Sequence, residues 1–124
     1  MTKKFVVGIL LKDGKYLAEK RHEHERYYPG KTIFPGGHIE LNESSEKALA
    51  REMEEELGIF IEKCDFVGEF YYEDGTSSKV YVINQWRGNP EPKEAKGLMW
   101  IEKEDQLSNE IDKQMLKKIK DRSS

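Results

Sequence analysis

The pattern of a short amphipathic helix, starting at Ser44 and ending before Gly58, most constrains how this chain folds. Leu49, Met53 and Leu57 recur every fourth residue, which predicts an apolar stripe that faces a core. Ser44 is a favourable N-cap, and Gly58 is the residue type that most often closes a helix in the left-handed conformation. The sequence therefore predicts one helix with defined ends and a buried face.

The same helix carries three carboxylates on another side, because Glu52, Glu55 and Glu56 fall within an arc of about 100°. Like charges three or four residues apart cost a helix about 0.2–0.5 kcal/mol per pair, so the cluster favours a bound cation. Ligands that offer only oxygen suit Mg²⁺ or Mn²⁺. In a chain with 36% charged residues, a solvated acidic surface is the alternative. The turn Pro35–Gly37 directly before the helix favours binding, because glycine lets a ligand approach the backbone.

Residues 37–59 resemble the signature of the Nudix hydrolases, G-x5-E-x7-R-E-U-x-E-E-x-G-U, in which U is a bulky aliphatic residue. The matching positions are Gly37, Glu43, Arg51, Glu52, Met53, Glu55, Glu56, Gly58 and Ile59. Only Met53 departs from the usual pattern, since Ile, Leu or Val is more common at that position. The flanking sequence FPGGHIE also resembles MutT-like members. The resemblance implies hydrolysis of a nucleoside diphosphate linked to another group, by attack of water at phosphorus.

By this resemblance the metal ligands are Glu52, Glu55, Glu56 and the backbone carbonyl of Gly37. Mg²⁺ is the expected ion, with Mn²⁺ as the alternative. The implied catalytic residues are Glu52, Arg51 and Glu55. Glu52 is the first choice for the base that acts on the water, directly or through the metal. Arg51 is expected to orient the acidic residues by pairing with Glu55, and Glu43 to support the loop or an outer water.

Substrate-binding residues are expected outside this segment. Arg21 resembles the position from which MutT-like enzymes contact phosphate, with a solvated charge at a strand end as the alternative. Tyr28 and Trp86 are candidates for stacking on a base, although such aromatic residues also commonly pack in or around a core. The resemblance also implies a fourth acidic ligand from the loop before the last strand. Glu94 is the candidate for it and is counted with the substrate-binding residues, even though Met99 stands where MutT has an acid.

The compact chain and the segment EAKGLMW resemble MutT and bacterial CTP pyrophosphohydrolases. The resemblance implies hydrolysis of a nucleoside triphosphate, either oxidised or pyrimidine, to the monophosphate and pyrophosphate. ADP-ribose and dinucleoside polyphosphates are alternative substrates, but Gly75 stands where ADP-ribose-cleaving relatives tend to have proline. A non-catalytic Nudix-like nucleotide sensor and a purely structural acidic module are the other interpretations.

Length and composition limit the remaining possibilities. A chain of 124 residues predicts a single domain over 1–124. The net charge of −3 and the scattered basic residues argue against binding to a nucleic acid polymer. The lone Cys64 excludes an internal disulfide, and no apolar stretch approaches the roughly 18 residues of a membrane helix. The expected partner is a small nucleoside polyphosphate and the expected location is cytoplasmic, while monomer and homodimer are both open.

The rest of the pattern predicts short strands interleaved with two helices. The predicted strands are Phe5–Leu11, Lys15–Lys20, Ile33–Phe34, His38–Leu41, Glu62–Tyr72, Lys79–Trp86 and Leu98–Ile101. Asp13-Gly14 indicates a tight hairpin, and an apolar residue at every fourth position from Leu107 to Ile119 indicates a closing helix. The predicted fold class is α/β (α+β), an α/β/α sandwich with a mixed central sheet, which the Nudix resemblance also implies.

Overall fold

Two α-helices lie on opposite faces of a mixed β-sheet in the computed structural model, which describes residues 3–122. The strands are β1 (Lys4–Lys12), β2 (Lys15–Lys20), β3 (Thr32–Ile33), β4 (Gly36–His38), β5 (Phe60–Tyr71), β6 (Ser77–Arg87) and β7 (Gly97–Ile101). The helices are α1 (Ser45–Leu57) and α2 (Glu110–Arg122), with a 3-10 turn at Glu104–Gln106. The outermost residues of the predicted domain, 1–2 and 123–124, lie outside the described range.

The sheet divides into two ladders that meet at the first hairpin. Asp13 and Gly14 have φ values of 54° and 74°, which confirms the tight turn between β1 and β2. Strand β1, which precedes this turn, pairs in parallel with β6. The first residues of β1 also pair antiparallel with β4. Strand β5 completes this first ladder beside β6. In the second ladder, β2 pairs with β3 on one side and with β7 on the other. Because β1 and β2 pair only next to the turn, a cleft opens between the two ladders.

Side chains alternate along the strands and therefore build one core on each face of the sheet. On β1, Val6 and Leu10 join the core under α1, whereas Val7 and Ile9 join the core under α2. The predicted apolar stripe of α1 is fully buried in the first of these cores. Two helices that each cover one face of a mixed sheet confirm the α/β/α layering.

The ends of α1 are those that the sequence predicts. The Ser44 hydroxyl oxygen accepts a hydrogen bond from the Lys47 N–H at 3.2 Å. Gly58 adopts φ 70°, and its N–H donates to the Glu54 carbonyl at 2.9 Å. These caps fix the orientation of the carboxylates along the helix.

Strand β2 has the predicted bounds, and most other strands differ from the prediction by one or two residues at each end, but strand β4 and the closing helix differ more. Strand β4 begins at Gly36 rather than His38, because the two glycines pair with β1 where Gly36 lies against the Val6 carbonyl and leaves no room for a Cβ atom. The closing helix begins at Glu110 and not at Leu107. The Asn109 side chain accepts a hydrogen bond from the Asp112 N–H at 2.8 Å, which caps α2 at that point.

No helix within residues 3–122 is long and apolar enough to cross a membrane.

Candidate active site

Arg51 connects the acidic groups around the start of α1. Its guanidinium donates to both oxygens of Glu43, at 2.8 and 3.0 Å, and to Glu52 Oε1 at 2.8 Å. It also donates to the His38 carbonyl at 2.9 Å and to Glu55 at 3.3 Å. These hydrogen bonds lower the pKa of Glu43 to about 2, chiefly through Arg51. The predicted pairing with Glu55 is present, but Glu43 and Glu52 are the closer partners.

The three glutamates of the predicted metal site differ sharply in burial. The side chain of Glu55 is half exposed and that of Glu52 is 13% exposed. Glu56 is only 4% exposed, and its Oε2 atom has no hydrogen-bond partner among the described residues. Burial and the neighbouring charge of Glu19 raise the pKa of Glu56. The Lys93 N–H donates to the Glu56 carbonyl at 3.0 Å and so docks the segment before β7 over this end of α1.

Gly37 brings the backbone of β4 against the carboxylate of Glu52. A Cβ atom built on Gly37 would overlap that carboxylate. At Glu52 burial raises the pKa, although the hydrogen bond from Arg51 lowers it. The close approach explains why the turn before α1 needs glycine here. It also places the Gly37 backbone and a partly buried carboxylate side by side.

A Gly37→Ala variant is expected to lose activity while the fold persists. The added methyl group displaces only the end of the Glu52 side chain, so the free energy of unfolding is expected to change by less than about 1 kcal/mol. The displaced carboxylate is expected to lower kcat by at least about 10²-fold, because displacements of about 1 Å cost that much. Urea unfolding and turnover measure the two effects. Gly97→Ala is the matched control, since a Cβ atom there meets open space. Unchanged turnover in the Gly37 variant contradicts the role given to this contact.

A cavity of about 900 Å³ fills the cleft between the two ladders. Its polar lining includes Glu19, Arg21, Arg26, Tyr28, Tyr72, Asp74, Ser78, Asn109 and Asp112, and Gly36 and Gly37 also line it. Cavities of this size accommodate ligands as large as nucleotides. The glycine-containing turn thus opens on one side to the cavity and on the other to the carboxylates of α1.

Asp112 is a buried carboxylate in this cavity. It is 6% exposed, and its Oδ2 accepts a hydrogen bond from the Phe34 N–H at 3.0 Å. Burial raises the pKa of Asp112 to about 7, although the hydrogen bonds from Phe34 and Asn109 act in the opposite direction. The group therefore changes its protonation close to neutral pH.

No three His, Cys, Asp or Glu side chains within residues 3–122 are close enough together to hold a metal ion in this conformation. Arg51 instead neutralises Glu52 and Glu55 by direct ion pairs. The donor chemistry nevertheless fits a hard divalent cation. Glu56 presents a buried oxygen that has no hydrogen-bond partner within residues 3–122, and the Gly37 backbone lies directly against the Glu52 carboxylate.

Comparison with known proteins identifies the family. The NUDIX domain pattern matches residues 2–121. This chain belongs to the NUDIX domain family. The match confirms the resemblance that residues 37–59 carry.

Individual relatives of this NUDIX protein agree with that assignment. The 8-oxo-dGTP diphosphatase of Haemophilus influenzae is 38% identical over 72 residues, which cover 56% of this chain and 53% of that protein. The CTP pyrophosphohydrolase of Escherichia coli is 31% identical over 107 residues, which cover 82% of this chain and 77% of that protein. The chain thus matches about half of the first relative's length and about three quarters of the second's.

Solved structures agree with the predicted fold. The crystal structure of a MutT NUDIX hydrolase from Burkholderia pseudomallei is similar with a TM-score of 0.83 and 25% sequence identity, covering 96% of this chain and 98% of that one. This similarity confirms the α/β/α sandwich with a mixed central sheet.

The NUDIX fold brings only some of the predicted substrate residues into the cavity. Arg21 and Tyr28 line it. Trp86 does not, since it packs against the core under α1 and stacks on Trp100 with ring centroids 6.4 Å apart. Glu94 lies outside the lining too, although its charge contributes to the raised pKa of Glu52 and Glu56.

The sequence reasoning missed several polar residues of the cavity, among them its two buried carboxylates, Glu19 and Asp112. Glu19 is 1% exposed, and its signal in the sequence is an acidic residue directly after the apolar run Tyr16–Ala18 of β2. Asp112 is a buried polar residue on α2, a helix that its apolar pattern predicts. A carboxylate directly after an apolar run is the kind of signal that sequence reasoning can use, whereas the position of Asp112 depends on how α2 packs.

Proposed function

We propose that this NUDIX protein hydrolyses a nucleoside triphosphate to the monophosphate and pyrophosphate with the help of Mg²⁺, for which Mn²⁺ substitutes. The observation that carries the proposal is the joint position of Gly37, Glu52 and the cavity of about 900 Å³. A cavity large enough for a nucleoside adjoins partly buried carboxylates on a rigid helix. The diphosphatase and pyrophosphohydrolase names of the two relatives also support the reaction type.

Glu52, Glu55, Glu56 and the carbonyl of Gly37 are the residues that we propose hold the metal. When bound, a divalent cation neutralises charge on the polyphosphate and makes a water molecule more acidic. The unpartnered Oε2 of Glu56 supports this assignment, because a buried oxygen without a partner is unfavourable unless a ligand satisfies it. Glu55 is the most exposed of the three and lies next to solvent.

The other residues bind, orient and accept a proton. Glu52 is the proposed base, because its partial burial raises its pKa towards the range in which a carboxylate accepts a proton from water. Arg51 fixes the rotamer of Glu52 through the 2.8 Å hydrogen bond. Arg21 is held at the cavity by bonds to the Tyr27 carbonyl and Glu25, and we propose that it contacts the phosphates.

The base of an oxidised or pyrimidine nucleotide is proposed to occupy the part of the cavity beside Tyr28. Tyr28 adopts φ 52°, an uncommon backbone conformation for tyrosine, and the residue as a whole is 43% exposed. An exposed aromatic face at a cavity suits stacking on a base. Trp86 is less suited to this role, since Trp100 already stacks on it.

The test is a substrate panel with purified protein and Mg²⁺ or Mn²⁺. It includes the natural nucleoside triphosphates, oxidised deoxynucleoside triphosphates, ADP-ribose and diadenosine polyphosphates, with phosphate and pyrophosphate release measured separately. We expect pyrophosphate release from a triphosphate and none in excess EDTA. Preferential cleavage of ADP-ribose or a dinucleoside polyphosphate would replace the proposed substrate. Tight nucleotide binding without any turnover would indicate a sensor.

Three predictions from the sequence stay predictions. They are a cytoplasmic location, a single domain, and a monomeric or homodimeric state.

A further inference from the structure

The connection between β3 and β4 carries the backbone from the second ladder into the candidate active site. Strand β3 pairs with β2 only as far as Ile33, and β4 pairs with β1 from Gly36 onwards. Phe34 and Pro35 lie between these two ladders. Two residues further on, the backbone of Gly37 lies against a carboxylate of α1. A shift of the connection would therefore move this contact.

Two hydrogen bonds within residues 3–122 tie the backbone of this connection to the rest of the fold. The Gly8 N–H donates to the Pro35 carbonyl at 3.0 Å. The Phe34 N–H donates to Asp112 Oδ2, also at 3.0 Å, and this bond is buried. Proline has no N–H, so Phe34 supplies the backbone donor of the connection. Asp112 is thus the side chain that holds the connection from the side of α2.

Asp112 is itself well fixed. Its N–H donates to the Asn109 side chain at 2.8 Å, in the cap of α2. The apolar residues of α2 pack in the same core as Phe34. A carboxylate also suits this position, because either of its oxygens accepts a hydrogen bond, whereas an asparagine can turn its NH₂ group towards the donor. A hydrogen bond to a charged acceptor is also stronger than one to a neutral acceptor.

We propose that Asp112 is a positioning residue that holds the connection between β3 and β4, and through it Gly37, against Glu52. It acts from α2, the helix on the face of the sheet opposite α1. This inference rests on the proposed function, because it adds to that reaction a residue from outside residues 37–59. Such a residue changes turnover through the geometry of the reacting groups rather than through the affinity for nucleotide.

The first test removes the acceptor at this position. Asp112→Leu keeps the branching of the side chain but cannot accept the hydrogen bond. We expect kcat on the best nucleotide of the panel to fall about 10–100-fold, because displacements of about 1 Å cost up to that much, while KM stays within about threefold. Asp112→Asn keeps an oxygen acceptor, and its kcat is expected to stay within about threefold of the unaltered protein.

The contrast between kcat and KM separates positioning from direct binding. Asp112 lines the cavity, so a contact with the nucleotide itself would raise KM and leave kcat unchanged in Asp112→Leu. That result overturns the proposal. Urea unfolding checks that the variants fold. Asp112→Ala removes the acceptor without adding volume, and it is interpreted in the same way if the leucine variant does not fold.

Ser108→Ala is the matched control, because it removes another hydrogen bond between β3 and the segment before α2. The Ser108 hydroxyl accepts from the Thr32 N–H at 2.8 Å. Thr32 nevertheless stays paired with β2, and its carbonyl keeps the bond from the Ser108 N–H at 3.0 Å. We expect lower stability but kcat within about threefold of the unaltered protein. An equal loss of kcat in Ser108→Ala and Asp112→Leu would show a general loosening of α2 and overturn the proposal.

Nuclear magnetic resonance of the nucleotide-free full chain tests the positioning without any activity. In Asp112→Leu the Phe34 amide is expected to exchange with solvent at least about tenfold faster, and the Gly37 amide resonance is expected to shift. In Asp112→Asn both are expected to resemble the unaltered protein. Unchanged Phe34 exchange and an unchanged Gly37 resonance in Asp112→Leu overturn the proposal. If these signals change as expected but the unaltered protein cleaves no nucleotide, the positioning is supported and the proposed function alone is contradicted.

Discussion

Glu52→Gln is expected to lower kcat by about 10²–10⁴-fold, the range in which positioned acid–base groups contribute. Glutamine keeps the shape of the side chain and can still accept the 2.8 Å hydrogen bond from Arg51, so the structure of the loop persists. It cannot accept a proton from water, and it is a poor ligand for a hard cation. Steady-state turnover of the best nucleotide of the panel measures the effect, with circular dichroism as the check on folding.

Glu54→Gln is the matched control for this variant. Glu54 lies on the same helix but is exposed, and its carbonyl accepts the hydrogen bond from the Gly58 N–H that caps the helix. We expect turnover within about twofold of the unaltered protein. Full activity in Glu52→Gln would remove the proposed base, and an equal loss in Glu54→Gln would point to a general effect of charge on the helix.

Asp112→Asn is expected to change how stability depends on pH. The folded protein holds the pKa of Asp112 at about 7, whereas an unfolded aspartate has a pKa near 3.9. Below about pH 4 both states bind the proton, and stability is unaffected. Between pH 4 and pH 7 only the folded state keeps it, so the unfolded state binds fewer protons and stability falls as pH rises. Above pH 7 the penalty is complete, with an upper bound of about 4 kcal/mol.

Urea unfolding at pH 4 and pH 8 measures this effect. Asparagine can still accept the hydrogen bond from the Phe34 N–H but carries no charge. The variant is therefore expected to gain on the order of 2–4 kcal/mol relative to the unaltered protein between pH 4 and pH 8. Asp65→Asn, at an exposed position of β5, is expected to show no such gain. Parallel pH profiles for Asp112→Asn and the unaltered protein would show that the pKa of Asp112 is ordinary.

The local elements were predictable because their causes are local. The caps at Ser44 and Gly58 depend on the conformational preferences of single residues. The turn at Asp13-Gly14 likewise needs only residues that tolerate positive φ. Strand β4 and the start of α2 were misplaced, because β4 is fixed by pairing with β1 and α2 by a cap that competes with the apolar pattern.

The candidate site was predictable only in part. The ion pair between Arg51 and Glu55 follows from helical spacing and is present. The closer bonds from Arg51 to Glu43 depend on how the loop before α1 folds back. Trp86 has an aromatic side chain that could stack on a base. Its position on β6, however, brings it against Trp100 and outside the lining of the cavity.

The sequence by itself determined the family, the fold class and the set of carboxylates on α1, since these depend on residue types at fixed spacing. Only the tertiary structure decided which carboxylates are buried. On an isolated helix Glu52, Glu55 and Glu56 are equivalent acidic residues. In the folded chain the side chain of Glu55 is half exposed, whereas Glu56 is buried and its carbonyl accepts a hydrogen bond from the Lys93 N–H. Burial and charge proximity depend on residues distant in sequence, and they set the chemistry of each carboxylate.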